Sequence, residues 1–369
     1  MKFTRAVLRF LLPAALAGGV LAVAALPAGA RPLYQSPDPV AQGKYLSIIG
    51  GCVECHTPYP ADFDPASLTS LDVLYSLAGG ADKTRLFAGG QPFDLGPLGV
   101  VFSKNLTPDL ETGLGNWTDE EIKTAFQTGV SKDGLHLFPL MPFHYLNSMA
   151  DSDASAIVAY LRTLAPVVNQ VPRPQLLPSE ALPQLPRQTG VVAPDPKDTA
   201  ARGRYLLTSV IACGDCHTPA DPQTGAPIME KYFAGGQPFE GPWGIVYGGN
   251  ITPDKTTGIG SWSDADIKRL IKTGVRPDGR QVVLMPWQLF ASLTDDDLNA
   301  VVNYLRSVPA VSREVSKAAL TPGFEKFTEL PKQGLDTTSL LLIGGGAVVV
   351  VAAAFLILRR RGAPAQPKV

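Results

Sequence analysis

Cysteine and histidine recur in one short arrangement, as Cys52-Val53-Glu54-Cys55-His56 and as Cys213-Gly214-Asp215-Cys216-His217. These two pentapeptides use all 4 cysteines of the 369-residue chain. The spacing is that of c-type haem attachment: two thiols add to the vinyl groups of one porphyrin, and the histidine after the second thiol reaches the iron. The residues therefore predict two covalently bound haems c, held by Cys52, Cys55, Cys213 and Cys216, with His56 and His217 as proximal iron ligands. A competing chemistry is a single zinc held by the four thiolates. That reading leaves the repeated histidine without a role.

A sixth iron ligand common to both sites should recur in both copies. Of the 5 methionines, Met141 and Met285 do so, each inside Leu-Met-Pro, whereas Met1, Met149 and Met229 have no counterpart. A thioether prefers ferrous iron, so His/Met ligation gives a higher potential than His/His ligation. Two alternatives stand beside this assignment. The methionines could simply pack the core, or His136 or His144, which face Gln281 and Gln288 in the second copy, could replace Met141. Pro58 and Pro219 each offer a carbonyl to fix the axial imidazole. Trp117, Trp262, Phe87, Phe93, Phe233 and Phe239 are expected to wall the porphyrin or to serve as ordinary core. Asn105 and Asn250 open Asn-x-Thr-Pro-Asp turns that their side chains support.

These residues sit in one unit written twice. Gly43-Lys44-Tyr45-Leu46 corresponds to Gly203-Arg204-Tyr205-Leu206, and Phe87-Ala88-Gly89-Gly90-Gln91-Pro92-Phe93 to Phe233-Ala234-Gly235-Gly236-Gln237-Pro238-Phe239. The stretch from Asn105 to Val130 matches that from Asn250 to Val275 without a gap. Tyr160-Leu161-Arg162 matches Tyr304-Leu305-Arg306. The first copy has extra residues between Pro60 and Arg85, which read as a loop. Apolar spacing predicts a helix ahead of each haem motif. Thr118 with Glu121, and Ser263 with Asp266, predict reciprocally capped helices that stop at Gly129 and Gly274. A last helix carries Ile157, Val158 and Leu161 in one copy and Leu298, Val301, Val302 and Leu305 in the other. No strand pattern repeats, so the expected class is all-α.

The module boundaries read as 38–165 and 198–310. A proline-rich linker, 166–197, and a polar spacer, 311–337, follow the two modules, and the linker suggests independent small domains. Residues 1–30 read as a secretion signal, with Lys2, Arg5 and Arg9 before an apolar stretch and Ala28-Gly29-Ala30 as the cleavage site. An uncleaved anchor is the alternative there. Residues 338–358 read as one transmembrane helix, with Arg359, Arg360 and Arg361 opening a cytoplasmic tail, 359–369. Both haem modules are then expected outside the cytoplasm, on the periplasmic or extracellular side of the cytoplasmic membrane. A net charge of -1 argues against a nucleic-acid partner.

Taken together, Cys-x-x-Cys-His-Thr-Pro, Phe-Ala-Gly-Gly, Asn-Leu/Ile-Thr-Pro-Asp, Thr-Gly-Leu/Ile-Gly-x-Trp and Met-Pro resemble the multihaem cytochrome c subunits of bacterial membrane-bound alcohol, aldehyde and gluconate dehydrogenases. The resemblance implies two tandem class I cytochrome c-like domains, His/Met ligation by His56 with Met141 and His217 with Met285, and electron transfer from a dehydrogenase toward quinone or an oxidase. Those subunits typically carry a third haem module, where this chain has its spanning helix. The expectation is thus a membrane-anchored dihaem electron carrier, not itself an enzyme, whose partners are a dehydrogenase subunit, an oxidase or a soluble cytochrome, and membrane lipid. The alternative is a dihaem peroxidase, which needs one iron with a displaceable ligand.

Overall fold

The computed structural model describes residues 38–60, 81–95, 99–173, 175–176, 184–223, 225–241 and 243–322. The stretch read as a secretion signal (1–30), most of the module-one insertion, the stretch read as spanning (338–358) and residues 359–369 lie outside the described residues. Among the described residues no helix is long and apolar enough to cross a membrane.

Module one begins with α1 (Pro39–Ile49), started by Asp38, whose carboxylate accepts from the Val40 N–H at 2.9 Å, and by a proline at the first helical position. The haem-motif helix α2 (Cys52–His56) follows at once. Strands β1 (Pro92–Asp94) and β2 (Gly99–Phe102) precede α3 (Asp119–Thr128), the short α4 (Phe143–Leu146) and α5 (Asp151–Arg162). Module two repeats the order: α6 (Thr199–Tyr205), α7 (Cys213–His217), β4 (Pro238–Gly241), β5 (Gly244–Tyr247), α8 (Asp264–Thr273), α9 (Trp287–Phe290) and α10 (Asp295–Ser307).

The predicted caps form at the predicted residues, with one difference. Thr118 and Glu121 make the full reciprocal box, with the Glu121 N–H on Thr118 at 3.2 Å and the Thr118 N–H on Glu121 at 2.7 Å. Ser263 accepts from the Asp266 N–H at 3.1 Å, and its hydroxyl also donates to the Asp266 carboxylate at 2.7 Å. The shorter aspartate is held by the hydroxyl. Gly129 and Gly274 close these helices at φ 78° and 71°.

In each module the first and last helices cross at a glycine. A Cβ on Gly43 would lie 1.8 Å from the Ala156 carbonyl oxygen, and one on Gly203 would lie 1.9 Å from that of Ala300. Only a residue without a side chain allows this approach. Module two holds one residue more between Tyr205 and Cys213 than module one holds between Tyr45 and Cys52. A π turn at Leu206–Val210 absorbs it. Val210 accordingly takes the buried apolar place that Ile49 holds in module one.

The all-α expectation needs correcting. The molecule is helix-rich, but each module also carries a small antiparallel sheet, β1-β2-β3 and β4-β5-β6. The third strands, β3 (Gln175–Leu176) and β6 (Ala319–Leu320), come from the segments read as linker and spacer. Those segments therefore begin as parts of the repeat: the Asn105 amide donates to the Val167 carbonyl and the Asn250 amide to the Val311 carbonyl, both at 2.8 Å. Strands of two to four residues are too short to show a period in sequence.

The independence suggested by the linker is also overturned. One apolar core runs through both modules, joining Tyr45, Leu46, Ile49, Met149 and Leu161 to Leu206, Leu207, Val210, Leu289 and Leu305. Linker residues pack back on module one, where the Leu185 N–H reaches the Thr128 carbonyl at 3.0 Å and the Asp151 N–H reaches that of Val191 at 3.1 Å. Burial of a joint apolar surface outweighs the freedom of a proline-rich connection.

Candidate haem sites

Both attachment helices are one and a half turns long and start from a left-handed residue, Gly51 at φ 78° and Ala212 at φ 50°. That turn sets the first cysteine at the helix start and the second one turn later, on the same face. Burial pushes the Cys52 thiol up to about 11 and those of Cys55 and Cys213 up to about 12. The surroundings therefore favour a neutral thiol or a thioether over a thiolate. Among the described residues no three His, Cys, Asp or Glu side chains gather to hold a metal ion, so the four thiols do not converge on one zinc.

The two motif imidazoles are oriented by the backbone. His56 Nδ1–H donates to the Lys104 carbonyl at 2.7 Å, and His217 Nδ1–H donates to that of Gly249 at 2.7 Å. Each bond fixes the tautomer and leaves the Nε2 lone pair free for a metal. Burial lowers the pKa of both rings, that of His56 to about 4, against the opposing pull of the carbonyl bonds. Both are thus neutral imidazoles at ordinary pH. The expected acceptors, Pro58 and Pro219, are occupied elsewhere: their carbonyls take the Asp82 N–H at 2.8 Å and the Ile228 N–H at 2.9 Å. They close the loop after the motif instead of holding the ring.

The Phe-Ala-Gly-Gly segment clamps the end of the attachment helix. The Gly89 N–H donates to the His56 carbonyl and the Gly235 N–H to the His217 carbonyl, both at 2.7 Å. Phe87 and Phe233 take left-handed backbone angles, φ 62° and 64°, which are uncommon for an aromatic residue. Bonds on both sides hold them there. The Phe87 N–H reaches Thr57 Oγ1 at 3.2 Å, and its carbonyl accepts from Leu106 at 2.8 Å. Gln91 donates to the carbonyls of Glu54 and Thr57, tying the loop to α2 from beneath.

Met141 and Met285 stand in matching backbone settings. Each carbonyl accepts from the residue two positions on, Phe143 or Trp287, at 2.8 Å, and the intervening Pro142 and Pro286 adopt ψ 47° and 55°. Both side chains lie part-buried against the shared core, as do Cys52 and Cys213. Met149 is wholly buried and Met229 is exposed. His144 is exposed and pairs with Asp215 of the second motif at 3.1 Å. His136 lies in a backbone bridge with Val130.

Of the aromatic residues, Phe87 and Phe233 belong to the joint core, against which Trp117 and Trp262 pack. Phe93 forms a smaller cluster with Val101, against which Cys55 packs, and Phe239 packs on Trp243 and Val246. Asn105 and Asn250 support their turns as expected, accepting from the Thr107 and Thr252 N–H groups at 3.0 Å. Two arginines were missed as supports, although their Tyr-Leu-Arg triplets recur in the sequence. Arg162 donates to the carbonyls of Leu114 and Trp117 and to Asp119, and Arg306 repeats this with Ile259, Trp262 and Asp264. Each ties the last helix to the tryptophan loop.

The residues present fit a covalently attached haem in both modules: paired thiols on a helix face, a neutral imidazole with a free Nε2, and a thioether at the apolar core. No family model matches the chain. It is 33% identical over 302 residues to the cytochrome subunit of fructose dehydrogenase from Gluconobacter japonicus, covering 78% of this chain and 56% of that protein. It is 31% identical over 305 residues to the cytochrome c subunit of gluconate 2-dehydrogenase from Pantoea cypripedii, covering 76% of this chain and 62% of that protein. A diheme cytochrome c-type protein of Cereibacter sphaeroides is 28% identical over 304 residues, covering 76% of this chain and 92% of that protein. The chain thus spans little more than half the length of the dehydrogenase subunits it matches. With two motif-bearing modules of matching geometry and these relatives, the chain belongs to the cytochrome c family.

Proposed function

We propose that this chain is a membrane-anchored dihaem cytochrome c that passes electrons outside the cytoplasm from a dehydrogenase to a downstream acceptor, an oxidase or a soluble cytochrome. The observation that carries this reading is the duplicated histidine setting, in which burial keeps each imidazole neutral and a carbonyl at 2.7 Å aims it. Bound haem supplies a one-electron iron couple. The protein supplies the rest: Cys52, Cys55, Cys213 and Cys216 would hold the porphyrins, His56 and His217 would each offer a ring nitrogen to the iron, and Met141 and Met285 would each offer a thioether sulfur. Burial against the apolar core excludes water and favours the less charged ferrous form. The shared core keeps the two centres in one unit, so an electron entering one module has the other within the same molecule.

Anchoring rests on residues 338–358 and their following arginines, and export rests on residues 1–30. The relatives named as dehydrogenase subunits support a dehydrogenase donor. The test is to isolate the full-length protein from membranes, count covalent haem per polypeptide after denaturation, and follow reduction by a membrane-bound dehydrogenase and its substrate. Two haems reduced on mixing and reoxidised by an acceptor agree with the proposal. Fewer than two haems, or steady consumption of peroxide with a reduced donor, would overturn it in favour of a different centre or a peroxidase.

A further inference from the structure

The two modules meet through a reciprocal set of buried polar groups. Tyr45 of module one donates to Asp297 Oδ2 of module two at 2.6 Å, and Tyr205 of module two donates to Asp153 Oδ2 of module one at 2.6 Å. The two aspartates occupy the same place in the repeat, on α10 and α5. Their partners within each module differ. Arg202 grips Asp297 with two bonds of 2.8 Å, while the residue in its place in module one is Gln42, which donates to Asp153 without a charge. Arg202 is 1% exposed, and both aspartates are sealed from water. Among the described residues one cation thus faces two buried carboxylates.

The remaining neighbours do not correct this imbalance. From α6, Arg202 and Tyr205 face Asp153, and from α10 Asp297 does; α1 presents only neutral Gln42 and, toward Asp297, Tyr45. Lys123 on α3 is turned to Ser155 and Glu120. Burial and the Asp297 charge push the Asp153 carboxyl up, against the pull of Tyr205, Arg202 and Gln42. Tyr45 and Tyr205, which carry these bonds, belong to the same apolar core that Cys52, Cys213, Met141 and Met285 pack against. In such a medium a charge placed at one point is felt strongly at another.

We propose that Asp153 is a redox-linked proton site: when an electron reduces an iron centre of either module, the Asp153 carboxylate takes one proton from solvent and becomes a neutral acid. The proposal rests on the electron-carrier reading and adds a proton to it. One electron enters from the donor, ferric iron becomes ferrous, and one proton balances the added charge; oxidation releases that proton. Asp297 is excluded from this role by its guanidinium partner. Gln42, half-exposed, marks the side from which the proton arrives.

The test is a mediated potentiometric titration of the full-length haem-loaded protein across about pH 5 to 9, with the wild type and Asp153→Asn. Asn keeps the size and removes the proton. At least one wild-type midpoint potential should fall as pH rises, and D153N should lose that dependence. Arg202→Gln, which removes the lone cation, should move the dependence to higher pH. Redox-difference infrared spectra of the wild type give a second readout, a protonated carboxyl band that grows on reduction. Wild-type potentials independent of pH, or an unchanged dependence in D153N, overturn the proposal. If D153N does not fold, absence of the carboxyl band in the wild type overturns it. No partner protein enters the titration, so failure to accept electrons from a dehydrogenase is a separate result that bears only on the carrier reading.

Discussion

Replacing Gly43 by alanine tests whether the close crossing of α1 and α5 governs the stability of module one. The added Cβ would stand 1.8 Å from the Ala156 carbonyl oxygen, 2.4 Å from its carbon and 2.9 Å from the Ile157 nitrogen. A normal carbon–oxygen contact is about 3.3 Å, so the helices must part by about 1.5 Å. The opposing atoms are backbone, which cannot rotate away. Overpacking of this kind costs about 1–3 kcal/mol, occasionally more, and the helix preference of alanine over glycine returns about 1 kcal/mol. Because the obstacle is rigid, the net loss should be about 2 kcal/mol or more. Gly203→Ala should behave alike, since its Cβ would lie 1.9 Å from the Ala300 oxygen. Gly190→Ala is the control: it is exposed, with φ 72° and nothing within 4 Å, so it carries only the left-handed penalty of about 1 kcal/mol. Guanidinium unfolding of the haem-loaded protein, followed by circular dichroism, measures all three. If Gly43→Ala unfolds within about 0.5 kcal/mol of wild type, the close approach does not govern stability and the reasoning fails.

Met141→Leu and Met285→Leu should each keep covalent haem but lower the potential of one centre, and a titration in which both variants match wild type counts against these ligands. His56→Ala or His217→Ala should strip its module of ordered haem, seen as loss of a Soret component and of helical signal. Gly214→Val should disturb the contact between modules, because a Cβ there meets the hydroxyls of Tyr232 at 2.7 Å and Tyr145 at 2.8 Å; altered haem spectra in module two without loss of attachment are expected. Arg202→Met leaves Asp297 buried without its cation and should cost about 3–5 kcal/mol, whereas Arg202→Met with Asp297→Leu should recover much of it, as a double-mutant cycle will show. The raised Asp153 carboxyl means the folded protein binds this proton more tightly than the unfolded chain. Its contribution to stability is full below the unfolded carboxylate pKa and is lost as pH rises through the folded one, so D153N should flatten that part of the stability–pH curve.

What the amino-acid order by itself determined was local and periodic. Covalent attachment needs two thiols and an imidazole within five residues, so the chemistry of Cys52–His56 and Cys213–His217 is written in adjacent positions. Helix ends are equally local, which is why Thr118, Ser263, Gly129 and Gly274 could be read directly. The repeat then singled out Met141 and Met285 from the other methionines. Tertiary structure decided everything that joins distant residues. The carbonyls that hold His56 and His217 belong to Lys104 and Gly249, and a backbone oxygen carries no signature of residue type. The sheets use strands too short for a pattern, with their third members in segments whose prolines suggested only a tether. The docking of the modules, and with it the placing of Arg202 between Asp153 and Asp297, depends on which apolar faces bury each other. That choice is made by complementary shape and shared loss of water-exposed surface, which no stretch of sequence contains alone.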